Sequence, residues 1–320
     1  MRTTQSMPHI TDYGHGISAI DSGFGRPLLD AIHLVVEGAR AALVDTGTNA
    51  SLPLVLEALA AKGLAPEQVD YVMLTHIHLD HAGGAGALMR ALPNARLTVH
   101  PRGARHMADP ARLVAGTVAV YGEAEARRMY GEILPVPADR ILETPEGARL
   151  HLGGRELDFL DTPGHARHHA CIRDSRSGHL FAGDMFGLSY RELDVGGRQF
   201  VFPSTTPVQF DPAAMHASID RLLALRPEAI YITHYGQLRD VPRLGADLHR
   251  LVDAHVDAAL RHGGAGAGRH AGIKSALAEI LLAEARRQGW RMASDALLEL
   301  MAVDLELNAQ GLCAWLDGGA

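Results

Sequence analysis

The sequence predicts an α/β catalytic region followed by a small, all-helical appendage. Three observations lead there. Short apolar runs bounded by turn residues alternate with helical stretches through the first part of the chain, as strands joined by helical crossovers do. Beyond residue 240 the β-branched runs vanish, and alanine- and leucine-rich helical texture takes over. Of 320 residues, 47% are apolar and 21% charged, ordinary globular values that supply material for a buried core. The division expected is 1–240 for the catalytic domain and 241–320 for a helical subdomain.

Strands are expected at 31–37 and 41–45, joined by a tight turn across Glu37-Gly38-Ala39-Arg40. A helix should follow, capped by Ser51, with Pro53 in its first turn, Val55, Leu56 and Leu59 on one apolar stripe, and Gly63 at its end. The continuous run Tyr71-Val72-Met73-Leu74-Thr75 reads as a buried strand that runs straight into His76. Further strands are expected near 95–99, 156–160, 170–173 and 179–182, with Gly153-Gly154 and Ser177-Gly178 as turns. Asp211-Pro212 opens a helix with Met215, Ile219, Leu222 and Leu223 at helical spacing, and strand 229–233 delivers His234.

The net charge of −7 disfavours a phosphate-backbone partner, so no nucleic acid is expected. Residues 241–320 carry eight Lys or Arg against ten Asp or Glu and present no basic recognition face. No apolar run approaches a membrane helix, and the start MRTTQSMPHITDYGHG lacks the order of a signal peptide, which makes the cytoplasm the expected address. The two cysteines, Cys171 and Cys313, make neither a disulfide framework nor a thiolate site. Any metal must therefore be held by carboxylates and by some of the 19 histidines.

The densest chemistry is Thr75-His76-Ile77-His78-Leu79-Asp80-His81-Ala82-Gly83-Gly84, which crowds His76, His78, Asp80 and His81 together after a buried strand. On extended backbone His76 and His78 point the same way, and the turn that follows can fold Asp80 and His81 back toward them. A single histidine here would read as a helix cap; four such residues read as ligands. Strand ends also deliver Asp161-Thr162-Pro163-Gly164-His165, Phe181-Ala182-Gly183-Asp184 and Ile232-Thr233-His234-Tyr235-Gly236, each of which alone would be a solvated loop.

In this combination the sequence resembles the metallo-β-lactamase fold superfamily, in its glyoxalase II-like dinuclear branch, over roughly residues 15–240. The resemblance implies a four-layer αββα sandwich. It implies that His76, His78 and His165 bind a first metal, that Asp80, His81 and His234 bind a second, and that Asp184 bridges them. Asp45 matches an aspartate that supports the ligands from behind; a plain turn aspartate is the alternative. Two divalent ions are implied, zinc first, with iron or manganese as alternatives, since imidazole and carboxylate suit all three. A bridging hydroxide would attack a small ester, thioester or lactone, with Asp80 orienting it or passing a proton to the leaving group. Tyr190 and Tyr235 are candidate donors to the oxyanion, and His169, with His168 behind it, stands where relatives often carry another histidine.

The segments 185–190 and 199–207 form either a pocket wall or a loop packed on the sheet edge, and 107–130 is a candidate lid. Apolar stripes in the appendage, such as Leu297, Leu298 and Met301, predict packing on the catalytic domain or in a homodimer. Two other function classes stay open: a mononuclear iron dioxygenase of the persulfide type, and a non-catalytic metal-binding protein of the same fold.

Overall fold

The structure, a computed structural model, describes residues 9–206, 208–264 and 266–318. The start of the chain, Pro207 of the aromatic loop and Ala265 of the glycine-rich turn lie outside them.

An antiparallel meander opens the fold: β1 (Ile10–Gly14), β2 (Ile17–Asp21), β3 (Ala31–Glu37) and β4 (Arg40–Val44). The expected β3–β4 hairpin is present, with Glu37 opposite Arg40 and Gly38 supplying a positive φ of 59°. After α1 (Leu52–Ala61), β5 (Val69–Met73) pairs parallel to β4. Ser51 precedes α1 as expected, yet it makes no side-chain cap bond there. Its hydroxyl instead donates to the Ser22 carbonyl at 2.7 Å and accepts from the Thr48 amide at 3.2 Å.

The chain continues through α2 (Leu79–Ala82), α3 (Ala85–Ala91), β6 (Arg96–Val99), α4 (Pro101–Ala108), α5 (Ala111–Tyr121) and α6 (Glu123–Tyr130) to β7 (Ile141–Glu143). Strands β1 to β7 make one sheet in sequence order. A second sheet follows from β8 (Arg149–Leu152), β9 (Arg155–Asp161), β10 (Ala170–Asp174) and β11 (Leu180–Phe181). After α7 (Pro212–Ala224) it is completed by β12 (Ile230–Ile232) and β13 (Gly236–Leu238), in the order β13-β12-β11-β10-β9-β8. Four helices close the chain: α8 (Val241–His262), α9 (Arg269–Gln288), α10 (Ser294–Leu300) and α11 (Ala302–Leu316). Among the described residues no helix is long and apolar enough to cross a membrane.

These elements form two compact units. The first runs to Asp161 and adds Ala170–Gly183 and Tyr231–Gln237. Its central strands read as continuous apolar runs because both their faces are covered. Val35, Val44 and Met73 pack against Phe159, Ile172, Phe181 and Tyr231 of the second sheet. Their neighbours Leu34, Leu43 and Val72 point the other way, onto Val55 and Leu59 of α1 and Leu88 and Met89 of α3. Each such side chain contributes about 1.5–3 kcal/mol by leaving water.

The second unit contains Thr162–His169, Asp184–Ile230 and Leu238 onward. The helices beyond residue 240 therefore share a unit with α7 and with the aromatic loop after Asp184. Phe200 meets Trp290 edge-on at 4.7 Å, and Phe202 meets the buried His255 at 4.9 Å. The loop is thus held by α8 and by the residues just past α9.

Candidate metal centre

In the first unit the parallel pairing of β4 with β5 brings the residues that follow each strand side by side. The Asp45 amide donates to the Met73 carbonyl at 2.8 Å, which carries Asp45 past the strand end at φ 60°, a left-handed conformation that aspartate tolerates better than most residues. Its buried carboxylate accepts from the Thr75 amide at 2.8 Å, the Thr75 hydroxyl at 2.9 and 3.0 Å, the Thr233 hydroxyl at 2.8 Å and His81 Nδ1 at 2.8 Å. One carboxylate thereby ties together the ends of β4, β5 and β12.

The supporting role foreseen for Asp45 has this geometry behind it. The bond to a carboxylate places the His81 proton on Nδ1, so that Nε2 keeps its lone pair for a cation. A second aspartate lies against Nδ1 of His234. Asp30, 1% exposed at the start of β3, lies 2.6 Å from His234 Nδ1. Burial pushes the Asp30 carboxyl up from its ordinary range, and the neighbouring His234 counters this in part.

The Nε2 atoms of both rings converge on Asp80, whose Oδ2 lies 3.6 Å from His81 Nε2 and 3.5 Å from His234 Nε2. Asp80, His81 and His234 each offer a ligand atom within 4.8 Å of the others. His76 and His78 share a side as the extended geometry requires: His76 Nε2 is 2.9 Å from His78 Nδ1, and the Thr75 hydroxyl lies 3.2 Å from His76 Nδ1. Glycine after the motif lets the chain pass close against the Thr46–Thr48 backbone. A Cβ on Gly84 would stand 2.6 Å from the Thr48 carbonyl oxygen and 2.8 Å from that of Thr46.

The second unit carries His165 and Asp184. Gly164, at φ 139°, lies so close to α7 that a Cβ there would stand 2.4 Å from Met215 Cα. Ser218 of α7 donates to the Pro163 carbonyl at 2.6 Å, seating the turn that presents His165. His165 Nδ1 donates to the Ser204 carbonyl at 3.0 Å, while its Nε2 faces Asp184 Oδ2 at 3.5 Å. The Ser204 hydroxyl donates to that same Oδ2 at 3.2 Å. Ser204 therefore aims both side chains at once.

Ser204 is itself bracketed by α11. Asn308, 1% exposed, accepts from the Thr205 amide at 2.7 Å and donates to the Pro203 carbonyl at 2.9 Å. Tyr190 is buried in this unit, and its hydroxyl donates to the Asp304 carboxylate at 3.0 and 3.1 Å. His169 Nδ1 lies 2.9 Å from the Thr162 hydroxyl, with its ring 6.1 Å from that of His165, whereas His168 is half-buried. Tyr235 is buried in the first unit against Ala19 and Ala31.

Asp30, Ser204 and Asn308 were not singled out in the sequence. Asp30 gave one faint signal, a charged residue at the head of an apolar strand. Asn308 gave a similar one, a helix-disfavouring amide inside an apolar α11.

The donor set of each unit is neutral imidazole with carboxylate and no thiolate, which fits divalent zinc, iron or manganese. Comparison with known proteins places the chain in a family. The family model of the metallo-beta-lactamase superfamily matches residues 27–234. The chain belongs to this superfamily. A metallo-beta-lactamase fold-containing protein of Sulfurisphaera tokodaii is 28% identical over 180 residues, 53% of this chain and 62% of that protein. The hydroxyacylglutathione hydrolase of Aeromonas hydrophila is 32% identical over 182 residues, 56% of this chain and 52% of the enzyme. The superfamily member thus spans between half and two thirds of these curated relatives. Among solved structures, a metallo-beta-lactamase family protein of Thermus thermophilus superposes with a TM-score of 0.66 at 22% identity, over 95% of this chain and 93% of that one. An archaeal superfamily protein of Sulfolobus tokodaii gives 0.63 at 20%, over 94% and 99%. Both show the fold.

Proposed function

We propose that the chain is a hydrolase that uses two divalent metal ions, zinc first among them, on a small ester, thioester or lactone. His76, His78 and His165 would hold one ion, Asp80, His81 and His234 the other, and Asp184 would serve both. The observation that carries this reading is the pairing of Asp45 with His81 and of Asp30 with His234, which leaves two Nε2 lone pairs facing the Asp80 carboxylate. Divalent ions bound there supply Lewis acidity and a water ionised near neutral pH.

The protein's own contribution is to fix the donors before they are used. Asp45 and the Ser204 carbonyl each accept from Nδ1 of one histidine, and Asp30 lies against Nδ1 of a third, which sets ring orientation and tautomer together. Asp80 and Asp184 carry the charge that balances a divalent ion, and Asp80 also stands ready to orient the attacking water or take its proton. Hydroxyacylglutathione hydrolases among the relatives make an acyl bond the first substrate class to test.

The test is elemental analysis of protein purified without added metal, run beside a hydrolysis panel of esters, thioesters and lactones. Two metals per chain with turnover are expected, and His234→Ala should lower both. One iron per chain, with oxygen consumed in the presence of a persulfide, would replace this reading by the dioxygenase. Full metal content with no turnover on the panel would leave a binding protein.

A further inference from the structure

Outside this centre, a second group of metal-ligating side chains lies in the second unit, where α7 packs on α8. His216 and Asp220 sit one turn apart on α7, and His249 and Asp253 one turn apart on α8. Each histidine is held by the carboxylate of the opposite helix. His216 Nε2 lies 3.0 Å from Asp253 Oδ1, and His249 Nε2 lies 3.0 Å from Asp220 Oδ1.

Those two contacts bear on where the protons are. A carboxylate beside Nε2 accepts from that nitrogen, and a ring whose single proton sits there keeps its lone pair on Nδ1. The two Nδ1 atoms face each other at 2.6 Å. The ring planes lie within 6° of parallel and the centroids 4.9 Å apart, so nitrogens this close must point at each other along the line joining the rings. Two lone pairs aimed at one point repel unless a proton or a metal cation stands between them. The histidine side chains are 29% and 24% exposed, within reach of an ion from solvent.

We propose that His216 and His249 form a second, inter-helical site for one divalent transition metal of the zinc class, bound through both Nδ1 atoms and completed by water. Imidazole pairs suit zinc, nickel and copper(II) and discriminate against the harder magnesium and calcium. Asp253 and Asp220 occupy the supporting position that carboxylates hold behind metal-binding histidines. Two nitrogens on a tetrahedral zinc ion stand about 3.3 Å apart, given bond lengths near 2.0–2.1 Å. The rings must therefore part by about 0.7 Å and turn so that their lone pairs converge on the ion near the tetrahedral angle, which partly exposed side chains on a helix surface can do by side-chain rotation. An ion here cross-links α7 to α8 and stabilises the pair by the usual linkage of binding to folding.

The site is tested by titrating Zn²⁺ calorimetrically into full-length protein whose catalytic centre is already metal-replete. Wild type should take up one further equivalent. His216→Ala and His249→Ala should each lose that equivalent while keeping their far-ultraviolet circular dichroism and their turnover. Asp253→Asn and Asp220→Asn should retain the site with affinity lowered roughly 10–100-fold. Equal uptake by wild type and both alanine variants overturns the proposal. So does a wild type that takes up nothing further, since the pair then shares a proton only.

Discussion

Asp45 Oδ2 stands 2.8 Å from His81 Nδ1, with both side chains buried, and the same oxygen accepts from Thr233 at 2.8 Å. An acceptor in that place holds the His81 proton on the ring edge away from Asp80. Asp45→Asn keeps the shape and suits the positive φ, but it can turn an amide N–H toward Nδ1 and so drive the proton to Nε2. Metal affinity is expected to fall roughly 10–100-fold, with the fold retained. Zinc titration followed by circular dichroism checks it; wild-type affinity in the variant would remove Asp45 from the supporting role.

Asp30 makes the equivalent prediction for His234. Asp30→Asn should lower metal affinity by a similar factor of roughly 10–100, and it should add little to the loss already caused by His234→Ala, because both act on one ring. A double-mutant cycle on metal content measures this. Full additivity of the two losses would show that Asp30 acts elsewhere.

The contrast between these aspartates shows what a sequence makes legible. His76, His78, Asp80 and His81 occupy one short segment, so the pleat of an extended chain and one turn suffice to group them. The strands behind them were equally plain, since β3, β4 and β5 are apolar runs covered on both faces. The pairing of Asp30 with His234 depends instead on the start of β3 lying beside the end of β12, which no local pattern encodes. Strands β1 and β13 escaped for a related reason: the first is half-exposed and the second is three residues long, so neither builds an apolar period. The bracket that Asn308 places around Ser204 joins α11 to a loop far away in sequence.

That bracket predicts a remote effect on the centre. Asn308→Ala leaves a buried amide of Thr205 and a buried carbonyl of Pro203 without this partner, each costing about 1–3 kcal/mol. It also releases Ser204 from the position in which it meets His165 and Asp184. Stability and metal content should fall together, and Asn308→Asp, which keeps the acceptor for Thr205 but loses the donor, should recover part of both. Gly311→Ala should be more damaging still, because its Cβ would stand 1.6 Å from the Thr205 carbonyl oxygen. Chemical denaturation and elemental analysis of the three variants check the order.

Acid should destabilise the protein through two buried histidines outside the proposed ligand set. Burial holds His33 and His255 down to about 4 from an ordinary 6.5; nearby Asp45 opposes this for His33, and the Leu251 carbonyl, accepting from Nδ1, does so for His255. Between those values the unfolded chain binds protons that the folded chain refuses, so stability rises with pH across the window and falls as pH drops through it. The stabilisation is complete above 6.5 and declines until pH 4, by about 3 kcal/mol for each histidine. Urea midpoints measured from pH 7 to pH 4 should show this slope. His255→Leu, which cannot be protonated, should remove that residue's share of the slope, about 3 kcal/mol, even though it loses the bond to Leu251 at all pH values alike. A variant whose midpoint falls as steeply as that of wild type would show that His255 is protonated in the folded state without penalty.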